Sequence, residues 1–543
     1  MTFLGAIVAC TAGATFSQSI TDPRLNVGPK AKATGEHVMV ATQLPIVTET
    51  ALEVLRQGGN AVDAMVTAVF LQHVVDYHQV SHFGAMSAIY YEASTGRYYA
   101  LSAVSERPKS AAGDSTKVAI AGVVRGLEAL AQRFGTRPWA SYFGPAIAAA
   151  EEGVLMTSFM YGVNFSKFEA GDLSANDDAV REFFMPDGHL VPVGQRWKMP
   201  ALAEHLKKVA SEGADYVYTG PWAEKFVAAV TARGGKISRE DMAAYRPRWE
   251  EPTRFTYRGH EIIGSPPPDT GGLEVSANLN VLANLDLPGR GHYAQSAETL
   301  ELMVRTLARV SQEIRSGLRD PLNYHVPSDL WLSKEYGRFT AQYVLATRPK
   351  VSLAPSQAPE TPAPAGELGS NHNVIVDAEG NWISLLHTGH GGAPGVLIDG
   401  VDATEGSSAL AESVGPGRRI ILPITSILLA KKGRPWLAMG TPGNPPQPVT
   451  QVLVNLLDFG MDPEAAVEAP RFWATANPYP EVRIESRIDP EVRRGIKDRG
   501  IKLTDIGPYN WHTGSMQIVW RDAGTGTIHG VTDSRRLGCV KGY

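Results

Sequence analysis

The chain has 543 residues, 43% of them hydrophobic and 20% charged, enough to bury a large core and more than one typical domain requires. A net charge of -5 leaves no basic footprint for nucleic acid, and no apolar run reaches the roughly 18 residues that span a bilayer. The two cysteines, Cys10 and Cys539, stand near opposite ends, which excludes a metal spacing or a disulfide framework and leaves at most one bridge between the termini.

Residues 1–35 read as a possible signal-like segment and N-terminal extension. "FLGAIVACTAGA" has the length of a signal-peptide apolar core and ends in Ala12-Gly13-Ala14, but no Lys or Arg precedes it. The sequence therefore leans only slightly toward a periplasmic or secreted protein over a cytoplasmic one. "LPIVTETALEVLRQGGNAVDAMVTAVFLQHVV" predicts two helices broken at Gly58-Gly59, with Asn60 capping the second and Asp63 in its first turn. "HVVDYH" brings His73, Asp76 and His78 together, but their spacing keeps the two rings off one helical face, so the stretch reads as a helix end rather than a metal site. "AIYYEASTGRYYALSAV" predicts a β-hairpin around Ser94-Thr95-Gly96, and helical patterns dominate from about residue 120 to 240. "PPPDTGGLEVSANLNVLANLDL" is a Pro/Gly-rich loop that feeds a further helix.

The run "SLAPSQAPETPAPAG" has four prolines and almost no bulky apolar side chains, which predicts a linker over 352–369 between a 36–351 portion and a 370–543 portion. Beyond it, "NVIVDAEGNWISLL" carries β-branched and aromatic residues on both sides of "DAEGN", the pattern of an antiparallel hairpin. Pairing Val376 with Trp382 sets Ser370 opposite Thr388, with Cβ atoms about 5 Å apart; a slip of one residue would put the two hydroxyls on opposite faces.

A serine heading a core strand, after a glycine and a linker, suits a chain that cuts itself. The Ser370 hydroxyl would attack the Gly369 carbonyl, the peptide would become an ester, and water would release a new N-terminal Ser370. Its free amine, with a pKa of about 7.7 to 8.0, could then serve as the base for its own hydroxyl. Taken alone, Gly369-Ser370 reads more readily as a plain turn or linker end.

Five blocks in order widen the reading: "ALEVLRQGGNAVDA", "GSPPPDTGG", "SNHNVIVDAEGN", "MGTPGNPPQ" with "VLVNLLDFGMDPEAAVEAPRF", and the terminal "VTDSRRLGCVKGY". Over nearly its whole length the chain resembles the γ-glutamyltranspeptidase family of N-terminal nucleophile hydrolases. The resemblance implies a mixed α/β (α+β) fold in a four-layer αββα sandwich, assembled from two subunits produced by autocleavage before Ser370. It makes Thr388 the threonine that supports the nucleophile, and "TPGN" the oxyanion loop, with the N-H groups of Gly443 and Asn444 as donors. The family usually has a second glycine where Asn444 stands, but an N-H donor remains.

The substrate half departs from the family. Aligned on Pro108, Val104 stands where γ-glutamyl enzymes carry the arginine that clamps the substrate carboxylate, and valine cannot imitate a bidentate guanidinium. The acidic partner of the substrate amine falls near Thr404, and paired serines fall at Ile421 and Leu422. Arg107 either reaches into the same space or is a surface or structural arginine. His390 stands where the family has a substrate-contacting Asn, and His387 and His390 line either the pocket or the core. His372 either orients the Ser370 region or shares its strand face for packing alone. The expected acyl pocket is apolar or neutral.

The expected protein is thus an autoprocessed amidohydrolase that takes a small-molecule amide of a non-γ-glutamyl acyl group, with no metal, no cofactor, and its own two fragments as a heterodimer. Within the family the alternative is a carbon-carbon bond hydrolase. Outside it, the alternative is an unprocessed binding protein with a dead site.

Overall fold

The computed structural model of the protein describes residues 27–28, 30–112, 118–169, 171, 173–347, 369–389, 393, 395–404, 414–443, 445–476 and 480–543. The signal-like stretch, Cys10, most of the linker, His390 and Asn444 lie outside these residues. Cys539 is buried and has no disulfide partner among the described residues.

The fold is mixed α/β with two large antiparallel sheets of seven strands each. One sheet runs, edge to edge, Gly538–Gly542, Met39–Gln43, Ser370–Val376, Trp382–Thr388, Ala85–Glu92, Arg97–Ala103 and Arg248–Glu250. The other runs Lys32–Gly35, Ile528–Thr532, Gln517–Arg521, Arg434–Gly440, Ser426–Lys431, His260–Gly264 and Thr253–Tyr257. Alternate residues of both sheets meet in one apolar cluster, with Val374, Val376 and Trp382 from the first against Leu428, Ala438 and Val519 from the second. The opposite faces bury against helices. Ile375, Ile383 and Leu385 join a core with the helix Ala61–Val75, while Ile427, Leu437 and Ile518 join one with the helices Gly271–Leu282 and Ala297–Gly317.

The helix pair expected after residue 44 is Pro45–Arg56 and Ala61–Val75, parted at Gly58-Gly59. Asn60 caps the second: its side chain accepts from the N-H groups of Val62 and Asp63, and Asp63 returns the bond to the Asn60 N-H at 2.9 Å. Burial pushes the Asp63 carboxyl up, but hydrogen bonds from Thr136, Tyr142 and Asn60 outweigh it and hold the group below its usual range. All the residues of Ala61–Val75 are buried, as an almost uninterrupted apolar sequence requires. The hairpin around Ser94-Thr95-Gly96 pairs Glu92 with Arg97.

Along this buried helix runs a file of four histidine rings. His387, on the strand Trp382–Thr388, lies 5.2 Å from His73, His73 lies 5.4 Å from His82, and His82 lies 4.8 Å from His205, centroid to centroid. Burial is the main cause that holds His82 and His387 down to about 3, and His73 and His205 well below the usual histidine value. These rings stay neutral when folded but take up protons when unfolded, so their contribution is complete above the unfolded value of about 6.5 and is lost as pH falls below it. Stability should therefore fall as pH drops from 7 to 5. Thermal midpoints measured across that range should fall steeply, and His205→Phe, whose ring nitrogens have no partner among the described residues, should flatten the fall. An unchanged slope in His205→Phe would remove the file as its cause.

Candidate active site

The strand Ser370–Val376 sits in the middle of its sheet, and its register against Trp382–Thr388 pairs Val376 with Trp382 and Ser370 with Thr388. This is the register counted from the sequence. Thr388 Oγ1 donates to the carbonyl of Gly369 at 3.1 Å, the bond that the Ser370 hydroxyl would attack. Gly369 is packed so closely that a Cβ there would lie 1.5 Å from Oε1 of Gln79. Arg536 Nη1 donates both to the Ser370 carbonyl at 2.9 Å and to Gln79 Oε1 at 3.2 Å. Asn371, pointing to the other face, donates to Asp76 at 2.8 Å. Burial raises the Asp76 carboxyl to about 6, while Asn371 and Arg536 restrain the shift.

His372 shares the face of Ser370, but its ring meets Ser384 Oγ at 2.8 Å, is fully buried, and is held down to about 3 chiefly by burial. It lies so close to Gly440 that a Cβ there would sit 2.3 Å from Nε2. His372 is therefore a neutral packing group between the sheets. His387 faces the helix side, where it meets Gln72 Oε1 at 2.8 Å. His73 closes the helix Ala61–Val75, and His78 lies beyond its end. Among the described residues no group of three or more His, Cys, Asp or Glu could hold a metal ion.

Val104, Leu386, Ile420, Leu422 and Ile424 form one buried apolar cluster with Ala85, and Ile421 packs against it. Ala85 pairs with Thr388, and Leu386 with His372, so the cluster lies on the strand face that carries the Ser370 and Thr388 side chains. Val104, Ile421 and Leu422 thus converge, as the resemblance would have three of its four altered clamp positions do. Arg107 is buried, and its guanidinium donates to the carbonyl of Val414, a member of that cluster, at 2.8 Å and to that of Ala111 at 3.5 Å. Thr404 is buried, with its N-H on Asp402 Oδ1 at 2.9 Å. Gly443 ends the loop after Arg434–Gly440, and a Cβ there would lie 2.8 Å from the His512 carbonyl.

Sequence reasoning missed three residues here. Gln79 and Arg536 flank the Gly369–Ser370 bond, and Lys167 pairs with Asp402 at 2.6 Å, both largely buried, beside Thr404 and Gly389. A lone Lys on a mixed helix and an Arg near the C-terminus read as solvated charges. For Arg536 the one signal is the block "VTDSRRLGCVKGY", in which its neighbour Arg535 is fully buried.

Residues 47–543 match the family model described as Gamma-glutamyltranspeptidase, so the chain belongs to the γ-glutamyltranspeptidase family and is an N-terminal nucleophile hydrolase. It is 29% identical over 517 residues to the Acylase ACY 1 proenzyme of Pseudomonas sp. (strain V22), covering 87% of this chain and 88% of that one. To the Glutathione hydrolase proenzyme of Escherichia coli (strain K12) it is 26% identical, covering 98% and 97%. The crystal structure of cephalosporin acylase from Bacillus halodurans superimposes with a TM-score of 0.82 at 24% identity, over 95% of this chain and 97% of that one.

Gly84 is a sensitive support of this site, because a Cβ there would lie 1.9 Å from the Thr388 carbonyl, a backbone atom that cannot swing aside. Gly84→Ala should displace the end of the strand that carries Thr388 and lower stability by about 1 to 3 kcal/mol. Urea unfolding would read the change, and a midpoint equal to that of the unaltered protein would show that the strand end yields freely.

Proposed function

We propose that the protein is made as a proenzyme that cleaves itself between Gly369 and Ser370 and then acts as an amidohydrolase on a non-γ-glutamyl acyl group. The observation that carries the reading is the Thr388 hydroxyl seated on the Gly369 carbonyl, with Ser370 directly opposite in the ladder. In maturation Ser370 Oγ attacks that carbonyl, the bond from Gly369 carbon to Ser370 nitrogen breaks, and the acyl group passes to Oγ while the nitrogen gains a proton. Water then hydrolyses the ester and leaves a free amine on Ser370. In turnover this amine takes the hydroxyl proton as Oγ attacks the substrate amide and returns it to the leaving amine; water completes the cycle. Backbone N-H groups at Gly443 and Asn444 serve as the oxyanion donors.

On this reading the sandwich of two sheets and two helical layers is shared by a large and a small subunit. Each sheet mixes strands from before and after residue 370, so the fragments stay together as a heterodimer. The match to two relatives named as proenzymes supports cleavage. The apolar side chains of the cluster around Val104, Leu386 and Leu422 support an apolar or neutral acyl group.

Intact mass spectrometry of the purified protein should find two chains of about 40 and 19 kDa, and Ser370→Ala should give one uncut, inactive chain that still folds. Full-length chain alone in active protein, or Ser370→Ala cut at the same bond, would overturn self-processing.

γ-Glutamyl-p-nitroanilide should be hydrolysed one to several orders of magnitude more slowly than the best apolar acyl amide, since each lost charge-assisted hydrogen bond is worth about 1.5 to 3 kcal/mol. Comparable release of p-nitroaniline would return the protein to the γ-glutamyl enzymes.

A further inference from the structure

Glycine stands before Ser370 for reasons of space rather than of backbone angle. Gly369 does not lie in the left-handed region, so its φ would admit a larger residue, yet a Cβ added there would stand 1.5 Å from Oε1, 2.2 Å from Cδ and 2.9 Å from Cβ of Gln79. All three nearest atoms belong to that one side chain. Carbon atoms in contact settle about 3.5 to 4.0 Å apart, so something must move before residue 369 can carry a side chain.

Gln79 can give way only in part. It is buried and borders a cavity walled by Leu44, Val75, Phe159 and Met160, so its amide could turn aside at the cost of the hydrogen bond that Oε1 accepts from Arg536 Nη1 at 3.2 Å. Turning the side chain carries Oε1 and Cδ away but leaves Cβ where it is. That atom moves only with the backbone, and the backbone is held. The Gln79 N-H donates to the Asp76 carbonyl at 2.8 Å, the Asp76 carboxylate accepts from Asn371 at 2.8 Å, and the Ser81 hydroxyl donates to the Asp402 carbonyl. Asn371 follows Ser370 in the chain, so the turn that carries Gln79 and the strand that carries the serine are tied to each other. Gly369 is held from its own side as well: its carbonyl accepts from Thr388 Oγ1 at 3.1 Å, and the Ser370 carbonyl accepts from Arg536 Nη1 at 2.9 Å.

We propose that Gln79 is the residue that restricts self-cleavage to a bond preceded by glycine: it fills the room that a side chain at 369 would need, while Thr388 and Arg536 hold the carbonyls of Gly369 and Ser370. A larger residue at 369 is admitted only by drawing its carbonyl off Thr388, and with the carbonyl goes the carbon that Ser370 Oγ must reach. Intramolecular attack is sensitive to such a shift, since a misplacement of about 1 Å can cost about a hundredfold in rate. Gln79 takes no proton and forms no bond in this step, so it is a positioning residue, and its effect is confined to maturation.

The inference rests on the self-cleavage reading, and the experiment separates the two. Full-length chains made by cell-free synthesis are sampled over time, and the cut is read on denaturing gels and by intact mass. Gly369→Ala should be cut about tenfold or more slowly than the unaltered chain, and Gly369→Ala/Gln79→Gly about threefold or more faster than Gly369→Ala. Gln79→Gly alone should gain nothing, because glycine at 369 already fits. A general loosening of the site would instead change both chains by the same factor. Should Gly369→Ala fail to fold, Gly369→Ala/Gln79→Ala, which keeps only the Cβ of Gln79, is compared with Gly369→Ala/Gln79→Gly, and the second should be cut faster. Cutting of Gly369→Ala at the unaltered rate, no gain from Gln79→Gly in the alanine chain, or the same gain with either residue at 369 would overturn the inference and leave self-cleavage standing. An unaltered chain that is never cut would remove self-cleavage and the inference with it.

Discussion

The pairing of Ser370 with Thr388 is the constraint on which the rest of the site depends, because a sheet buried on both faces has no tolerance for a slip of one residue. Apolar alternation alone would permit a shift by two. The polar pairs forbid it. Asn371 reaches Asp76 and Asn373 reaches Gln72 on the helix side, while His372 reaches Ser384 between the sheets. Each of these groups is buried, and each would lose its partner in any other register, at about 1 to 3 kcal/mol for every group left unsatisfied. The strand that presents the serine is thereby fixed from both faces at once.

A second constraint acts from the far end of the chain. Arg535 is fully buried and forms ion pairs with Glu485 at 2.6 Å and Asp533 at 3.0 Å, and Arg471 meets Asp533 at 2.5 Å. Burial raises both carboxyls, but the facing arginines prevail and hold Asp533 down to about 2 and Glu485 below its usual range. Such a network is a weak source of net stability, since desolvation consumes most of the attraction. Its geometric effect is stronger: with every partner charged and in place, the turn before the edge strand Gly538–Gly542 has one arrangement, and Arg536 leaves it toward Ser370.

Much of this was legible in the sequence, for reasons that can be named. The capped helix after Gly58-Gly59, the two hairpins, and the Ser370–Thr388 register follow from local signals, namely an Asx cap, short turns and period-two alternation, whose physics needs no distant partner. The order of strands within the sheets was not legible, because Met39–Gln43 meets Val374 and Val376 across more than 300 positions of chain and nothing local encodes that choice. The convergence of Val104 with Leu422 on one face rested on alignment rather than on pattern. Arg536, Gln79 and Lys167 escaped for a different reason: a charged or amide side chain reads as solvated until the fold shows it buried.

These constraints meet around the serine. Gly443, at the proposed oxyanion loop, packs against the His512 carbonyl; His512 stacks on Trp511; Trp511 underlies Arg536; and Arg536 holds the Ser370 carbonyl. The proposed oxyanion loop and the arginine that holds the Ser370 carbonyl therefore share one support, carried by the segment Trp511–Thr513. The cluster around Val104 is built differently, from apolar side chains on strands and the loop around Leu422. Of the positions where the resemblance expects a departure, Val104, Ile421 and Leu422 meet in this cluster, whereas Thr404 lies beside Lys167 and Asp402 instead.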